Sequence, residues 1–459
     1  MRGMTLRAMA KACNGKYYGS EANLDKEVTD ITTDSRKVVK DGLFIAICGE
    51  RTDGHKYIDG CFEAGALCVI SEKELPEQEN SYIKVKSSLQ ALKDLALLYR
   101  NNLDIKVVGI TGSVGKTSTK ETISYVLEEK YKVLKTEGNF NNEIGLPLTV
   151  FRLRDDDEIA VLEMGISDFG EMERLSQIAQ PDIGVITNIG LCHLENLKTR
   201  DGILKAKTEM FHNLKPDGTA ILNGDDDKLI TIDEVNNKRP VRFGISYKDD
   251  VYASDIKNLG LDGTSFVING LKCADGDRAF EVTVPVPGHH MIYNALAAAC
   301  VGAQLGLSSI QIRDGISKLK TIAGRNNIIK TDNYTIIDDC YNANPVSMKA
   351  SIDVVDMALG RKVCILGSMF ELGDNEKNLH YDVGVLITIG DLARHIAMGA
   401  ADYRETHYES YDCSIHSYDT IEEFENEAGQ LLKKGDNILV KASHGMHFSN
   451  IVDMLSKQQ

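Results

Sequence analysis

VVGITGSVGKTSTKE, from Val107 to Glu121, decides the fold. Four mostly apolar residues run into a glycine-rich turn, followed by Gly-Lys-Thr and a segment whose Ile123, Val126 and Leu127 share one helical stripe. Strand, turn and helix in that order predict a phosphate-binding loop. Gly112 and Gly115 free the backbone to point N–H groups inward at phosphate oxygens, and the following helix N-terminus adds to that field. Ser113 and Ser118 belong to the same turn, Lys116 would reach the β- and γ-phosphates, and the Thr117 hydroxyl would bind Mg²⁺. The strict phosphate-loop pattern needs glycine at 110, where Ile110 stands with Gly109 one place early. The competing reading is an ordinary glycine-rich turn after a strand.

Bulk composition narrows the class. The chain has 459 residues, too many for one core, so several domains are expected. With 68 acidic against 52 basic residues the net charge is −16, which argues against nucleic-acid or anionic-membrane binding. Ten cysteines are scattered without a C-x-x-C pair and read as reduced, mostly buried thiols. The N-terminus has no signal-peptide apolar core and no apolar run reaches membrane-spanning length. The expectation is a cytoplasmic chain without stable membrane insertion.

Periodicity divides the chain into three α/β domains: a small first one (1–97), a central phosphate-loop domain with a mostly parallel sheet (98–319), and a Rossmann-like C-terminal one (320–459). Strands are expected at Leu43–Ile47, Cys68–Ile70, IAVL (159–162), IGVIT (183–187) and TAIL (219–222), with helices over SLQALKDLALLYRNN and Asn294–Gly306. The third block alternates strands TIID (335–338), VCIL (363–366), HIAM (395–398) and NILV (437–440) with helices. Met348, Ile352, Val355 and Leu359 form a helical stripe after Asn344, a candidate cap, and Pro345, suited to a first turn. Ligands of such sheets sit beyond the carboxyl ends of the strands.

One such end is Glu163, in IAVLEMG, a hard oxygen donor suited to Mg²⁺ or simply a solvated strand end. His193 follows a strand and Lys207 lies fourteen residues on; taken alone they read as a loop histidine and a helix lysine.

Together these motifs resemble the Mur ligase family of ATP-dependent amide-forming enzymes of peptidoglycan synthesis. The resemblance covers nearly the whole chain through DSR (34–36), GERTDGH (49–55), TGSVGKTS (111–118), GNFNNEIGLP (138–147), LEMG (162–165), TNIGLCHLE (187–195), AKTE (206–209), GHHMIYNALAAA (288–299), DDCYNANP (338–345) and LGSMFELG (366–373). YNANP and MFELG are similar to the dipeptide-adding branch. The resemblance implies that ATP phosphorylates the carboxylate of a UDP-MurNAc-tripeptide, and that the amine of D-alanyl-D-alanine captures the acyl phosphate. It implies catalytic roles for Lys116, His193 and Lys207. It places one Mg²⁺ on Thr117 and Glu163, and a second near Glu163, His193 and a carbamoylated Lys207. Asn294, Arg325 and Asp339 would contact the nucleotide, Asp339 near the ribose. Ser35, Arg36, Asp53 and His55 would hold the UDP end. Asn139, Asn142, Tyr341, Asn342 and Asn344 would meet substrate, and the chain would act as a monomer.

Two departures from the family pattern stand out. Lys441-Ala-Ser-His444 replaces a usual Lys-Gly-Ser-Arg, and His444 lacks the bidentate fork of arginine. Ser368 replaces an acidic residue. Alternatives are a sister ligase adding one amino acid, a folylpolyglutamate-type ligase, and a noncatalytic nucleotide-binding module.

Overall fold

The computed structural model describes residues 1–49, 52–76, 80–321, 323–368, 385–406 and 413–457. MFELG (369–373) and the Glu50-Arg51 pair of GERTDGH lie outside them. Among the described residues the strands form three sheets.

The first sheet holds β1 (Lys16–Tyr18), β2 (Ile31–Thr32), β3 (Leu43–Ile45), β4 (Cys68–Ser71) and β5 (Ser81–Lys84), in the order β1-β5-β4-β3-β2. Only β1 runs antiparallel to its neighbour. The helix Ser88–Asn101 then crosses to the central domain, running past the expected break at 97. Its buried stripe of Ala91, Leu92, Leu95, Ala96 and Tyr99 joins an apolar core shared with the central domain. Tyr99 donates its hydroxyl to the Leu153 carbonyl at 2.7 Å. Arg100, 3 % exposed, donates to the carbonyls of Ala179, Leu103 and Ile105. Three backbone acceptors that would otherwise be dry are thus satisfied by one guanidinium.

The central sheet holds β6 (Lys106–Thr111), β7 (Val133–Lys135), β8 (Ile159–Glu163), β9 (Ile183–Ile186), β10 (Thr219–Asn223), β11 (Val241–Gly244), β12 (Val251–Asn258), β13 (Thr264–Asn269) and β14 (Ala279–Val284). Their order is β14-β13-β12-β11-β10-β9-β6-β8-β7. From β7 to β12 all pairs are parallel, as the expected mostly parallel sheet requires. The β12–β14 meander is an antiparallel extension that the sequence reading missed. Its alternation is broken in β12, where the register shifts between Ser254 and Lys257 and Asp255 turns to φ +52°. β6 is buried on both faces, which explains its continuous apolar run. The helices Lys116–Leu127 and Ser309–Ser317 cross at Gly315, where a Cβ would lie 2.5 Å from the Val126 Cα. Only glycine permits that approach.

The third sheet holds β15 (Asn327–Lys330), β16 (Tyr334–Asp338), β17 (Lys362–Gly367), β18 (Val385–Ile389), β19 (Ser414–Tyr418) and β20 (Asp436–Lys441), ordered β15-β16-β20-β17-β18-β19. It is parallel except for β15. HIAM (395–398) is not a strand; it lies in the helix Arg394–Thr406, and β18 supplies the strand instead. A short apolar run carries no period of its own, so four such residues fit either element. Asn344 does cap the helix Pro345–Asp356, in a reciprocal pair with Ser347, and Pro345 occupies the first turn. Met348, Ile352 and Val355 are buried as expected, whereas Leu359 falls beyond the helix and is 94 % exposed. No described helix is long and apolar enough to cross a membrane.

Arg100→Ala should lower unfolding free energy by about 3 kcal/mol, because it strands three buried carbonyls. Arg36→Ala, which breaks only a solvent-facing pair with Asp34, should change it by less than about 0.5 kcal/mol. Denaturant midpoints of both variants check the contrast.

Candidate nucleotide and phosphoryl-transfer site

Where β6 ends, the chain turns through Gly112–Gly115 into the helix Lys116–Leu127. Gly115 occupies the cap position at φ +81° with no side-chain cap, so the first helical N–H groups remain available to an anion. Gly112 is forced by its neighbour: a Cβ there would lie 1.9 Å from the Thr187 Oγ1. The loop is held from β9. Thr187 Oγ1 and Asn188 Nδ2 both donate to the Val114 carbonyl, at 2.7 and 2.9 Å, and Val114 N–H donates to Asn188 Oδ1 at 2.9 Å. Ser113 N–H donates to the Asn188 carbonyl, and Gly190 N–H donates to Ser113 Oγ at 2.9 Å. Asn188 was not singled out from sequence, although it stands in the quoted TNIG at a strand end.

Lys116 Nζ donates to the loop's own Gly112 carbonyl at 2.9 Å. Thr117 Oγ1 donates to Glu163 Oε2 at 3.0 Å, and Asn141 Nδ2 donates to Glu163 Oε1 at 2.8 Å. The expected pair Thr117 and Glu163 is therefore brought together from β8 and the helix after β6. Glu163 is 2 % exposed, and its backbone N–H is held by Thr136 Oγ1. The polar side chain facing this pair is Asn141; Asn139 is exposed, and Asn142 Oδ1 accepts from the N–H groups of Ile144 and Gly145. In a run of asparagines, spacing alone does not say which one turns inward.

Lys207 lies in the helix Arg200–Thr208 and is 1 % exposed. Its ammonium forms no ion pair or hydrogen bond among the described residues. Burial, reinforced by nearby Lys116, lowers its pKa to about 7. His193 begins the short helix Leu194–Leu197 in left-handed backbone, φ +51°. Among the described residues no three His, Cys, Asp or Glu side chains gather as a ready metal site. The donors that do meet, a hydroxyl and a carboxylate, are hard oxygens that fit Mg²⁺. Glu209, from the AKTE motif, instead accepts from Gly170 and Glu173 N–H and caps the helix Glu171–Ala179.

The third domain forms the opposite wall of one cleft of about 490 Å³. Gly324 N–H donates to Asp338 Oδ2 at 2.7 Å, and Asn326 N–H donates to Asp339 Oδ1 at 3.1 Å. Two successive aspartates thus pin the turn that carries Arg325. The Arg325 guanidinium lies 4.2 Å from the centroid of the Tyr341 ring, which also meets His444 at 5.5 Å. Asp339 lines the same cleft. Its Oδ2 accepts from buried Lys441 at 2.5 Å and from Ser351 Oγ, so the carboxylate is committed within the protein. Lys441 also donates to the Asn342 carbonyl at 3.0 Å. Asn294 sits inside the helix His290–Gln304, 5 % exposed, and accepts from Thr119 Oγ1 at 2.9 Å. Arg325, Tyr341, Asn342, Asn344 and Asn294 all line the cleft with the phosphate loop.

The first-domain residues form a separate group. Arg36 pairs in two-pronged fashion with Asp34, and its side chain is 87 % exposed. Ser35 lies in the same short turn. Asp53 accepts from His55 Nδ1 and Lys73 Nζ, both at 2.6 Å, and Lys73 first, then His55, holds its carboxyl well below the usual range. His55 Nε2 accepts from Glu72 N–H at 3.1 Å, which assigns the ring proton to Nδ1.

Family models match in the same order as the sheets. "Mur ligase family, catalytic domain" covers residues 27–100, "Mur ligase middle domain" 110–302, and "Mur ligase, glutamate ligase domain" 324–444. A UDP-N-acetylmuramoyl-tripeptide–D-alanyl-D-alanine ligase of Bacillus subtilis is 39 % identical over 95 % of this chain and 95 % of its own length. The Escherichia coli ligase of the same description is 33 % identical over 87 % and 86 %. A MurF crystal structure from Acinetobacter baumannii superposes with a TM-score of 0.87 at 29 % identity, covering 99 % of both chains. The Thermotoga maritima MurF ligase in complex with ADP gives 0.80 at 30 %, covering 94 % and 97 %.

Asn188→Ala removes the acceptor of the Val114 N–H and one of the two donors to its carbonyl, and should raise the KM for ATP roughly tenfold, the size of one or two hydrogen bonds. Steady-state ADP release checks it.

Proposed function

The chain belongs to the Mur ligase family, and on that premise we propose that it joins D-alanyl-D-alanine to UDP-N-acetylmuramoyl-tripeptide at the expense of ATP. It is an ATP-dependent, C–N bond-forming ligase of peptidoglycan synthesis. The observation that carries the reading is a single cleft in which the phosphate loop, Thr117 and Glu163 face Arg325, Tyr341 and Asn342 of the third domain. Residues 1–97 bind the UDP end, 98–319 bind ATP, and 320–459 bind the dipeptide and close over the nucleotide. The protein works as a cytoplasmic monomer.

A carboxylate is a poor electrophile, since its charge repels nucleophiles and oxide leaves badly. Transfer of the γ-phosphoryl group to the tripeptide carboxylate forms a new P–O bond as the bond to ADP breaks. The dipeptide amine then attacks the carbonyl carbon, phosphate leaves, and the amine gives up its proton. Bringing a carboxylate against a triphosphate requires positive charge and in-line placement. Lys116 supplies one charge once it turns from the Gly112 carbonyl to the phosphates, and the uncapped N–H groups at the start of the helix Lys116–Leu127 add oriented dipoles. Asn141 and Thr136 keep Glu163 in place. Closure of Arg325 and Tyr341 over the cleft keeps water from the acyl phosphate.

Thr117 and Glu163 would hold one Mg²⁺, which when bound supplies positive charge beside the phosphate oxygens. His193 and Lys207 would serve a second. A charged lysine repels a cation, so the useful form of Lys207 is its carbamate: the neutral amine attacks CO₂, an N–C bond forms, and one proton leaves. Burial without a partner and a pKa near 7 both favour the neutral amine that this addition needs.

A coupled ADP-release assay tests the function. Steady-state ADP release should require D-alanyl-D-alanine together with a UDP-MurNAc-tripeptide bearing either diaminopimelate or lysine, and Lys116→Ala should slow it at least about 100-fold. Stimulation by L-Lys or glutamate in place of the dipeptide would overturn the assignment. Lys207→Ala should be inactive and partly rescued by short carboxylic acids. Full activity of that variant without added acid, with no labile CO₂ adduct in the parent's mass spectrum, excludes the carbamate.

A further inference from the structure

One polar atom in the cleft wall lacks a partner. Asn326 lines the cleft and is 8 % exposed, yet its Oδ1 makes no hydrogen bond among the described residues. The other end of the amide, Nδ2, faces His290 Nε2 across 3.5 Å. Leaving a carbonyl oxygen dry and unpaired costs on the order of 1–3 kcal/mol, so such atoms point to a donor that arrives with a ligand. Asn326 holds left-handed backbone, φ +47°, which asparagine tolerates, and its N–H is tied to Asp339 Oδ1 at 3.1 Å.

The chemistry of the missing donor follows from its neighbours. Asp339, the acidic group expected near the ribose, already accepts from Lys441, Ser351 and the Asn326 N–H, whereas Asn326 Oδ1 beside it has no donor at all among the described residues. Arg325, Lys116 and Lys320 bring positive charge to the cleft, which suits phosphates. The ribose joins phosphates to base, and its hydroxyls are donors of the kind a lone carbonyl oxygen in this cleft wall can accept. We propose that Asn326 is a nucleotide-specificity residue whose side-chain carbonyl accepts a hydrogen bond from a ribose hydroxyl of ATP. The proposal rests on the reading of this cleft as an ATP site.

The test compares kcat/KM for ATP, 2′-deoxy-ATP, 3′-deoxy-ATP and N6-methyl-ATP in the full-length protein. The parent should use at least one deoxy analogue about tenfold less well than ATP, the worth of one hydrogen bond. Asn326→Gly, which accepts the positive φ, should lose about tenfold with ATP and no further with that analogue, so its discrimination falls to near unity. Asn326→Asp keeps an acceptor and should keep the discrimination. Merely structural damage would lower all four nucleotides in proportion and would overturn the proposal. Indifference of the parent to both ribose hydroxyls would do the same, as would loss of discrimination in Asn326→Gly against N6-methyl-ATP alone. These results leave ATP turnover intact. Absence of any ATP-dependent turnover in the parent would instead remove the underlying function, and the proposal with it.

Discussion

The site depends on a backbone turn held rigidly enough that the uncapped N–H groups of the helix behind it stay open to an anion. A phosphate bound by main-chain amides requires a loop with little freedom, because each amide must already be aimed when the anion arrives. The Val114 peptide is clamped at both its N–H and its carbonyl by Asn188, and Thr187 fills the space that a Cβ on Gly112 would take. Glycine supplies the conformation, and the neighbouring strand removes the freedom that glycine would otherwise keep.

Strand order then decides which residues flank the phosphates. β6 lies between β8 and β9, all parallel, so their carboxyl ends emerge on one edge. β8 delivers Glu163 to Thr117, and β9 delivers Thr187 and Asn188 to the loop. The first domain shares an apolar core with this sheet, through the helix that bears Tyr99 and Arg100. The third domain has its own apolar clusters and meets the site through a polar turn. A shared core couples the first two domains more tightly than the third, against one of whose apolar clusters only Leu261 of the central domain is packed among the described residues.

That third wall is built around charges that are neutralised internally. Lys441 is 1 % exposed and has Asp339 as its counterion, with the Asn342 carbonyl as a further acceptor. Desolvating such a pair consumes most of its Coulomb energy, so its value lies in fixing geometry more than in stability. The geometry here is the Gly324–Asn326 turn, held by Asp338 and Asp339 so that Arg325 stacks on Tyr341 of the same wall. His444, where the family pattern has arginine, packs against the same ring and supplies an aromatic face instead of a two-pronged cation.

Local chemistry made much of this legible in the one-letter code. A glycine turn between an apolar strand and a helix, Glu163 at a strand end, and Asn344-Pro345 at a helix start each declare themselves through backbone conformation or period, which few residue types satisfy. Long strands buried on both faces were equally plain. What the code left open were choices between equivalent partners. Asn141, not Asn139 or Asn142, turns to Glu163; Asp339 spends its oxygens on Lys441 from β20; and Asn188 clamps a loop far away in the chain. HIAM became helix and the broken β12 became strand for the same reason. Residue type and spacing set what a segment is able to do. Hydrogen-bond capacity is shared across the fold, and which capacity is already spent depends on neighbours that only folding brings near.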